Sequence, residues 1–295
     1  MRILRTIAEV RAAVRDAKAA GQSVGLVPTM GAFHDGHLSL MRAAREQNDL
    51  VVVSLFVNPT QFAANEDLST YPRDEARDAA LAEAEGVDIL FAPEPAVIYP
   101  DGFATNIHVA GITEVLDGAS RGPHHFDGVA TVVTKLFGIV QPDVAYFGQK
   151  DAQQVLVVRR VVRDLDLDVR IEACPIVREP DGLAMSSRNV YLDADARAQA
   201  TALNRALDAA DVAHRSGESI LSAAHAVLDE AGIAVEYLEL RDAETLQPVT
   251  AVERDALLLV AARVGAARLI DNHLLRAAET TLAKTHTTTD GKGDA

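Results

Sequence analysis

Pro28-Thr29-Met30-Gly31-Ala32-Phe33-His34-Asp35-Gly36-His37 follows the apolar run Val24–Val27 and leads into Leu38, Leu40 and Met41. An apolar run, a glycine-punctuated turn and then helical apolar spacing is the layout of a strand, a turn and a helix N-terminus. The unpaired N–H groups of that terminus, with its dipole, favour an anion, so phosphate is the natural guest. His34 and His37 lie three apart and would share one face of the first helical turn. Gly31 and Gly36 lack Cβ atoms and would let a ligand approach the backbone. A lone histidine is more often structural than catalytic. Two imidazoles just after a buried-looking strand tip the balance towards catalysis.

Outward from this motif, the first half of the chain alternates strands with helices. Val24–Val27, Leu50–Val57, Val87–Phe91 and Val144–Phe147 carry the branched and aromatic residues that strands favour. Thr6–Ala20, Asp74–Glu85 and the stretch Val129–Val140, stopped by Pro142, read as helices. Nearly continuous apolar strands alternating with helices imply a parallel sheet covered on both faces. Right-handed crossovers then give a doubly wound, Rossmann-like α/β domain over residues 1–177, with ligands at the carboxyl ends of its strands. Beyond it, Asp195–Arg215 and Ile220–Ala231 read as helices, and Val235–Leu240, Ala256–Ala262 and Leu269–Ile270 as strands. This predicts a smaller α+β domain over 178–278, followed from Glu279 by a polar tail expected to be disordered.

The chain of 295 residues is long enough to bury a full core. A net charge of −15 argues against a general nucleic-acid binder, which would show a basic face. No stretch approaches 18 uninterrupted apolar residues, so membrane insertion and export are not expected. Cys174 is the only cysteine, which excludes an internal disulfide and suits a reducing cytoplasm. Its apolar neighbours suggest a packed thiol. No His, Cys or Glu spacing matches a zinc cage.

Four further clusters bear chemistry. Asn58-Pro59-Thr60-Gln61 closes the second strand, and its amides could hold a small hydroxy acid, although Asn-Pro also simply ends strands. Gly148-Gln149-Lys150-Asp151 repeats the strand-end layout, with a lysine for a phosphate and an aspartate for a helix cap or a ribose hydroxyl; Gln154 follows one turn later. Met185-Ser186-Ser187-Arg188, after the Asp181-Gly182 turn, could grip a triphosphate through hydroxyls and a guanidinium. Arg121-Gly122-Pro123-His124-His125 reads as a polar loop with Asp127 as the cap of the following helix. The bland alternatives are a solvated lysine at Lys150 and a surface helix-start or loop arginine at Arg188.

Taken in order, these pieces resemble the pantothenate synthetase (pantoate–β-alanine ligase) family over nearly the whole chain. The resemblance continues through Tyr71-Pro72-Arg73, Tyr237-Leu238-Glu239-Leu240-Arg241-Asp242 and Leu269-Ile270-Asp271-Asn272. It implies a fold of the His-x-Gly-His nucleotidyl-transferase type, similar to class I aminoacyl-tRNA synthetases. The implied activity is ATP-dependent joining of pantoate to β-alanine through a pantoyl adenylate, in a cytoplasmic homodimer using Mg²⁺ with ATP. By motif, Met30, Gly31, Ala32, Phe33, His34, Asp35, Gly36 and His37 would contact ATP, with His37 as proton donor. Gly148, Gln149, Lys150, Asp151, Val177, Met185, Ser186, Ser187 and Arg188 would complete the nucleotide site. Gln61 and Gln154 would hold pantoate, with Gln61 also by β-alanine and Asn58 beside them. His34, His37, Lys150 and Arg188 are the expected catalytic set.

Two departures stand out. Gln149 occupies a position where the family usually has Glu, and the Arg121–Phe126 loop is one residue longer than usual, which aligns His125 with the family's histidine. Two alternatives remain open: a nucleotidyl transferase that stops at an activated product, and a non-catalytic nucleotide-binding relative.

Overall fold

The computed structural model describes residues 1–63 and 68–277. Six parallel strands form the larger sheet: β1 (Arg2–Leu4), β2 (Val24–Thr29), β3 (Leu50–Leu55), β4 (Ile89–Phe91), β5 (Val144–Gly148) and β6 (Arg170–Cys174). Their order is β1-β4-β3-β2-β5-β6. Winding proceeds one way from β2 and the other way from β5, so the switch point lies between these neighbours. In open α/β sheets the ligand crevice lies outside the carboxyl ends at that point.

Helices α1 (Ile7–Ala19), α2 (Asp35–Gln47), α3 (Glu75–Ala84), α4 (Pro95–Ile98), α5 (Asp117–Arg121), α6 (Pro123–Val140) and α7 (Ala152–Asp164) accompany the sheet. α1 starts where Thr6 and Glu9 form a reciprocal capping box, and it buries Val10, Val14 and Ala17 along one stripe. Leu26 and Val52 pack with α1, α6 and α7, whereas Val27, Val51 and Val53 pack with α2 and Ala82 of α3. Alternate residues of each strand therefore enter different cores, which is why both faces must be apolar.

The second half holds α8 (Ala194–Ala200), α9 (Ala202–Ser216) and α10 (Ile220–Glu230) against an antiparallel sheet of β7 (Val235–Asp242), β8 (Ala256–Val264) and β9 (Ala267–Leu275). The fold class is thus the doubly wound α/β sheet with a smaller α+β portion expected from sequence. Leu258 and Val260 of β8 face its helices, while Leu257 and Leu259 join the core of the larger sheet. The two sheets share buried apolar surface.

Several sequence expectations are corrected. β1 and β6 escaped the sequence reading because one is three residues long and the other, Arg170-Ile171-Glu172-Ala173-Cys174, is an edge strand with no apolar run. The helix read as Asp195–Arg215 is two helices meeting at Thr201. β9 is nine residues long rather than two, because its polar residues are paired inside the protein, as described below. α6 begins at Pro123 with Gly122 at the cap position, so Asp127 is not a cap. The Asp127 carboxylate instead meets His108 Nδ1 at 2.9 Å and accepts from Asn106 at 3.1 Å. The tail from Glu279 lies outside the described residues.

Candidate active site

Both halves of the cradle sit on strand ends. After β2 the backbone turns through left-handed Gly31 (φ 89°) and Ala32 (φ 53°) before α2 begins. Asp78, buried on α3, holds this turn by accepting from Ala32 N and Phe33 N, both at 2.8 Å. A Cβ on Gly31 would lie 2.7 Å from Leu55 and 3.0 Å from Asp78, and one on Gly36 would lie 2.8 Å from the His34 ring. A Cβ at either glycine would meet the protein's own side chains, and Gly36 also lines one of the cavities described below.

His34 caps α2. Its Nδ1 accepts from Gly36 N at 3.2 Å, and His37 Nδ1 accepts from His34 N at 3.4 Å. With Nδ1 accepting in both rings, the proton of each neutral imidazole sits on Nε2. The ring centroids lie 4.2 Å apart with the planes tilted by 42°. Desolvation, then the Lys150 charge, lowers His34 to about pKa 4; desolvation, then His34 and Lys150, lowers His37 to about 3. Both rings are neutral N–H donors at neutral pH.

After β3, Asn58 caps and Gln61 ends a short 3-10 turn, Pro59–Gln61, and both are buried. Asn58 Nδ2 donates to Gln61 Oε1 and Gly128 O, each at 3.1 Å, while its Oδ1 accepts from Tyr99 Oη at 2.8 Å and from the Thr60 hydroxyl at 2.9 Å. Asn58 lines one of the cavities described below, and its bonds also hold the Gln61 amide. A Cβ on Gly128 would lie 2.7 Å from the Thr60–Gln61 backbone, so this close approach of α6 requires glycine. His125, buried on α6, links the same turn to Arg121: Nε2 accepts from Arg121 at 2.9 Å, leaving Nδ1–H to donate to Gln61 O at 3.1 Å.

From β5, Lys150 and Asp151 lie in a 3-10 turn leading into α7. Asp151 holds the α7 cap position without a side-chain cap bond. From the second half, Ser186 caps the turn Ser187–Tyr191 by accepting from Arg188 N at 3.2 Å. Asp181-Gly182 makes the expected turn, with Glu179 N donating to Leu183 O at 2.8 Å and Gly182 at φ 91°.

These segments converge. A cavity of about 460 Å³ is lined by Met30, Gln61, Lys150, Asp151, Gln154 and Arg188, among others. Two smaller cavities of about 170 and 180 Å³ share Met30, His37, Asp151 and Gln154 with each other, and the second adds His34, Gly148, Val177, Met185, Ser186 and Ser187. Gly31, Ala32, Phe33, Asp35 and Gln149 line none of the three. The departure from Glu at position 149 therefore lies beside the cradle. Asp78 and Tyr99 carry no signal in the sequence, since Asp78 is one charge among several on α3 and Tyr99 lies outside every motif. Cys174 is buried, and burial pushes its thiol up to about 11, as a packed thiol should behave.

Among the described residues there is no group of three or more His, Cys, Asp or Glu side chains that could hold a metal ion. Asp151 alone offers a hard carboxylate oxygen to the two smaller cavities, which suits Mg²⁺ carried in on phosphates rather than caged by protein. No helix of the described residues is long and apolar enough to cross a membrane.

Known proteins with this arrangement agree with one another. The family model described as Pantoate-beta-alanine ligase matches residues 2–274. A pantothenate synthetase from Koribacter versatilis is 54% identical over 283 residues, covering 94% of this chain and 97% of the relative. The crystal structure of pantothenate synthetase from Thermus thermophilus superposes with a TM-score of 0.88 at 49% identity, covering 92% of this chain and 99% of that one. That of a Francisella tularensis pantoate-beta-alanine ligase, complexed with beta-gamma ATP and beta-alanine, gives 0.77 at 35% identity, covering 93% and 97%. With the family model spanning all the strands from which the cradle is built, the chain belongs to the pantoate-beta-alanine ligase family.

Proposed function

We propose that the protein condenses (R)-pantoate with β-alanine, splitting ATP into AMP and pyrophosphate through a pantoyl adenylate. In the first step a pantoate carboxylate oxygen bonds to the α-phosphorus and the bond to the β-phosphate oxygen breaks. In the second the β-alanine amine attacks the acyl carbon, AMP leaves, and the amine's proton passes to solvent or phosphate. The observation that carries this reading is the meeting of neutral His37, Lys150, Ser186 and Arg188 with Gln61 and Gln154 around neighbouring cavities that share lining residues at the switch point.

The chemistry follows from charge. An anion attacking a polyanion needs donors and cations already in place around the phosphates. His34 and His37 supply Nε2–H donors at the positive end of α2, and Lys150 and Arg188 supply full charges. His37 thereby serves as the proton or hydrogen-bond donor to a phosphate oxygen. Gln61, its amide oxygen held by Asn58, and Gln154 present amides to the hydroxyls and carboxylate of pantoate. This amide pocket favours a ligase over a transferase that stops at a nucleotide product. Asp151 is left for a ribose hydroxyl or for the Mg²⁺ that accompanies ATP. We infer further that residues 1–177 bind ATP and pantoate while the smaller C-terminal part closes over the adenylate and keeps out water. A cytoplasmic homodimer, as the family resemblance implies, completes the reading.

The test is product analysis. Incubation with ATP and pantoate should release AMP and pyrophosphate, with pantothenate appearing once β-alanine is added. Formation of ADP, or nucleotide cleavage without pantoate, would reject the adenylate route.

A further inference from the structure

Asp271 and Asn272 line none of the cavities described above, although their neighbour Ile270 does. They are nevertheless among the most deeply buried polar residues of the protein, at 2% and 3% exposure. Asn272 Nδ2 donates to the carbonyl oxygens of Gln149 and of Lys150, each at 2.9 Å. Asp271 receives the Arg178 guanidinium through two bonds, 2.6 Å to Oδ2 and 3.0 Å to Oδ1. Arg178 also donates to Gly182 O at 3.2 Å and bridges Ala184 across the hairpin that delivers Met185–Arg188. Adjacent residues of one edge strand thus hold both cationic grips, Lys150 from the larger sheet and Arg188 from the second half.

Peptide units are planar and trans, so gripping two successive carbonyls fixes two peptide planes and with them the backbone torsions between. The direction in which the Lys150 side chain leaves the chain is set by those torsions. On the other side, the paired Asp271–Arg178 contact sets where the 178–184 hairpin stands relative to β9. We propose that Asp271 and Asn272 form a brace that sets the separation of Lys150 from the Ser186–Arg188 turn, making Asn272 a positioning residue for adenylate formation. This rests on the reading that these cations grip the triphosphate of ATP.

The brace predicts a non-additive pair. In the full-length protein, Asn272→Leu removes both donors at similar side-chain size. Single-turnover adenylate formation with saturating ATP and pantoate should slow by about 10²-fold, the scale on which a misplaced group loses catalytic power. The KM for β-alanine should stay within about twofold. In a Lys150→Ala background, the same Asn272→Leu change should alter the rate by no more than about twofold, since the group it positions is already gone. Asn272→Ser, which restores one donor, should recover part of the rate, and it carries the same comparison with Lys150→Ala should the leucine variant not fold. Rate losses that multiply in the double variant, or a folded variant at position 272 with wild-type turnover, overturn the proposal and leave only a structural role. If the wild-type protein releases no AMP from ATP and pantoate, the functional reading itself fails, a result distinct from either.

Discussion

The two strand ends that form the cradle are secured in different ways. The turn after β2 is held from within its own layer, by Asp78 on α3 bonding Ala32 N and Phe33 N. The turn after β5 is held from the other sheet, by Asn272 bonding Gln149 O and Lys150 O. One anchor is an acceptor that collects N–H groups; the other is a donor that collects carbonyls. The β2 turn places its histidines through its own helix cap. The β5 turn has its lysine aimed by a residue more than a hundred positions away. The placement of the histidines should therefore survive changes in β9 that displace the lysine.

The sharpest probe of the histidine side is His37→Ala. Losing one well-placed donor should lower the rate of adenylate formation by about 10²–10³-fold. The melting temperature should move less than the rate, because the hydrogen bond that the His37 ring accepts, from His34 N, is long at 3.4 Å. Parallel thermal unfolding and rapid-quench assays check this, and proportional loss of fold and rate would count against a site role. A smaller effect, in stability as well as rate, is expected of Asp78→Ala. It leaves two N–H groups without their acceptor, at a cost of about 1–3 kcal/mol for each that stays dry. Chemical denaturation should show the loss; an unchanged midpoint would mean that the turn holds itself.

A further effect is expected on the pH dependence of stability. Below the ordinary histidine value of 6.5, the unfolded chain takes up protons on His34 and His37 that the folded rings refuse until about pH 4 and about 3. The unfolded state then binds more protons, so stability contributed by the neutral rings is present above 6.5 and falls as pH drops through that window. His37→Gln should flatten this slope in urea titrations of the unsubstituted and substituted proteins. An unaltered slope would place the acid sensitivity elsewhere, for example in paired carboxylates such as Glu179 beside Arg197.

Legibility from sequence followed the range of the interactions. The strand–turn–helix around residues 24–41 was readable because apolar spacing, turn glycines and a capping residue all act within a few positions. The ordered signatures from Pro28 to Asn272 were readable as a family resemblance for the same reason, each being a short local string. Asn58 was readable as a residue of the site, but its bonds to Gly128 and Tyr99 were not, since those partners lie on other segments. β9 was read as two residues because Arg268, Asp271 and Asn272 interrupt its apolar pattern. Each is in fact paired inside the protein: Arg268 with Asp117 and Glu236, Asp271 with Arg178, Asn272 with the lysine turn.

Local strings of residues were enough to establish the alternating strands and helices, the phosphate-seeking helix start with its two imidazoles, and the kind of chemistry they serve. Which polar groups touch one another was decided only when the chain crossed itself. A buried hydrogen bond between residues a hundred positions apart leaves no periodicity behind, yet its loss exposes an unpaired group to a dry interior, so the packed fold alone chooses the partners.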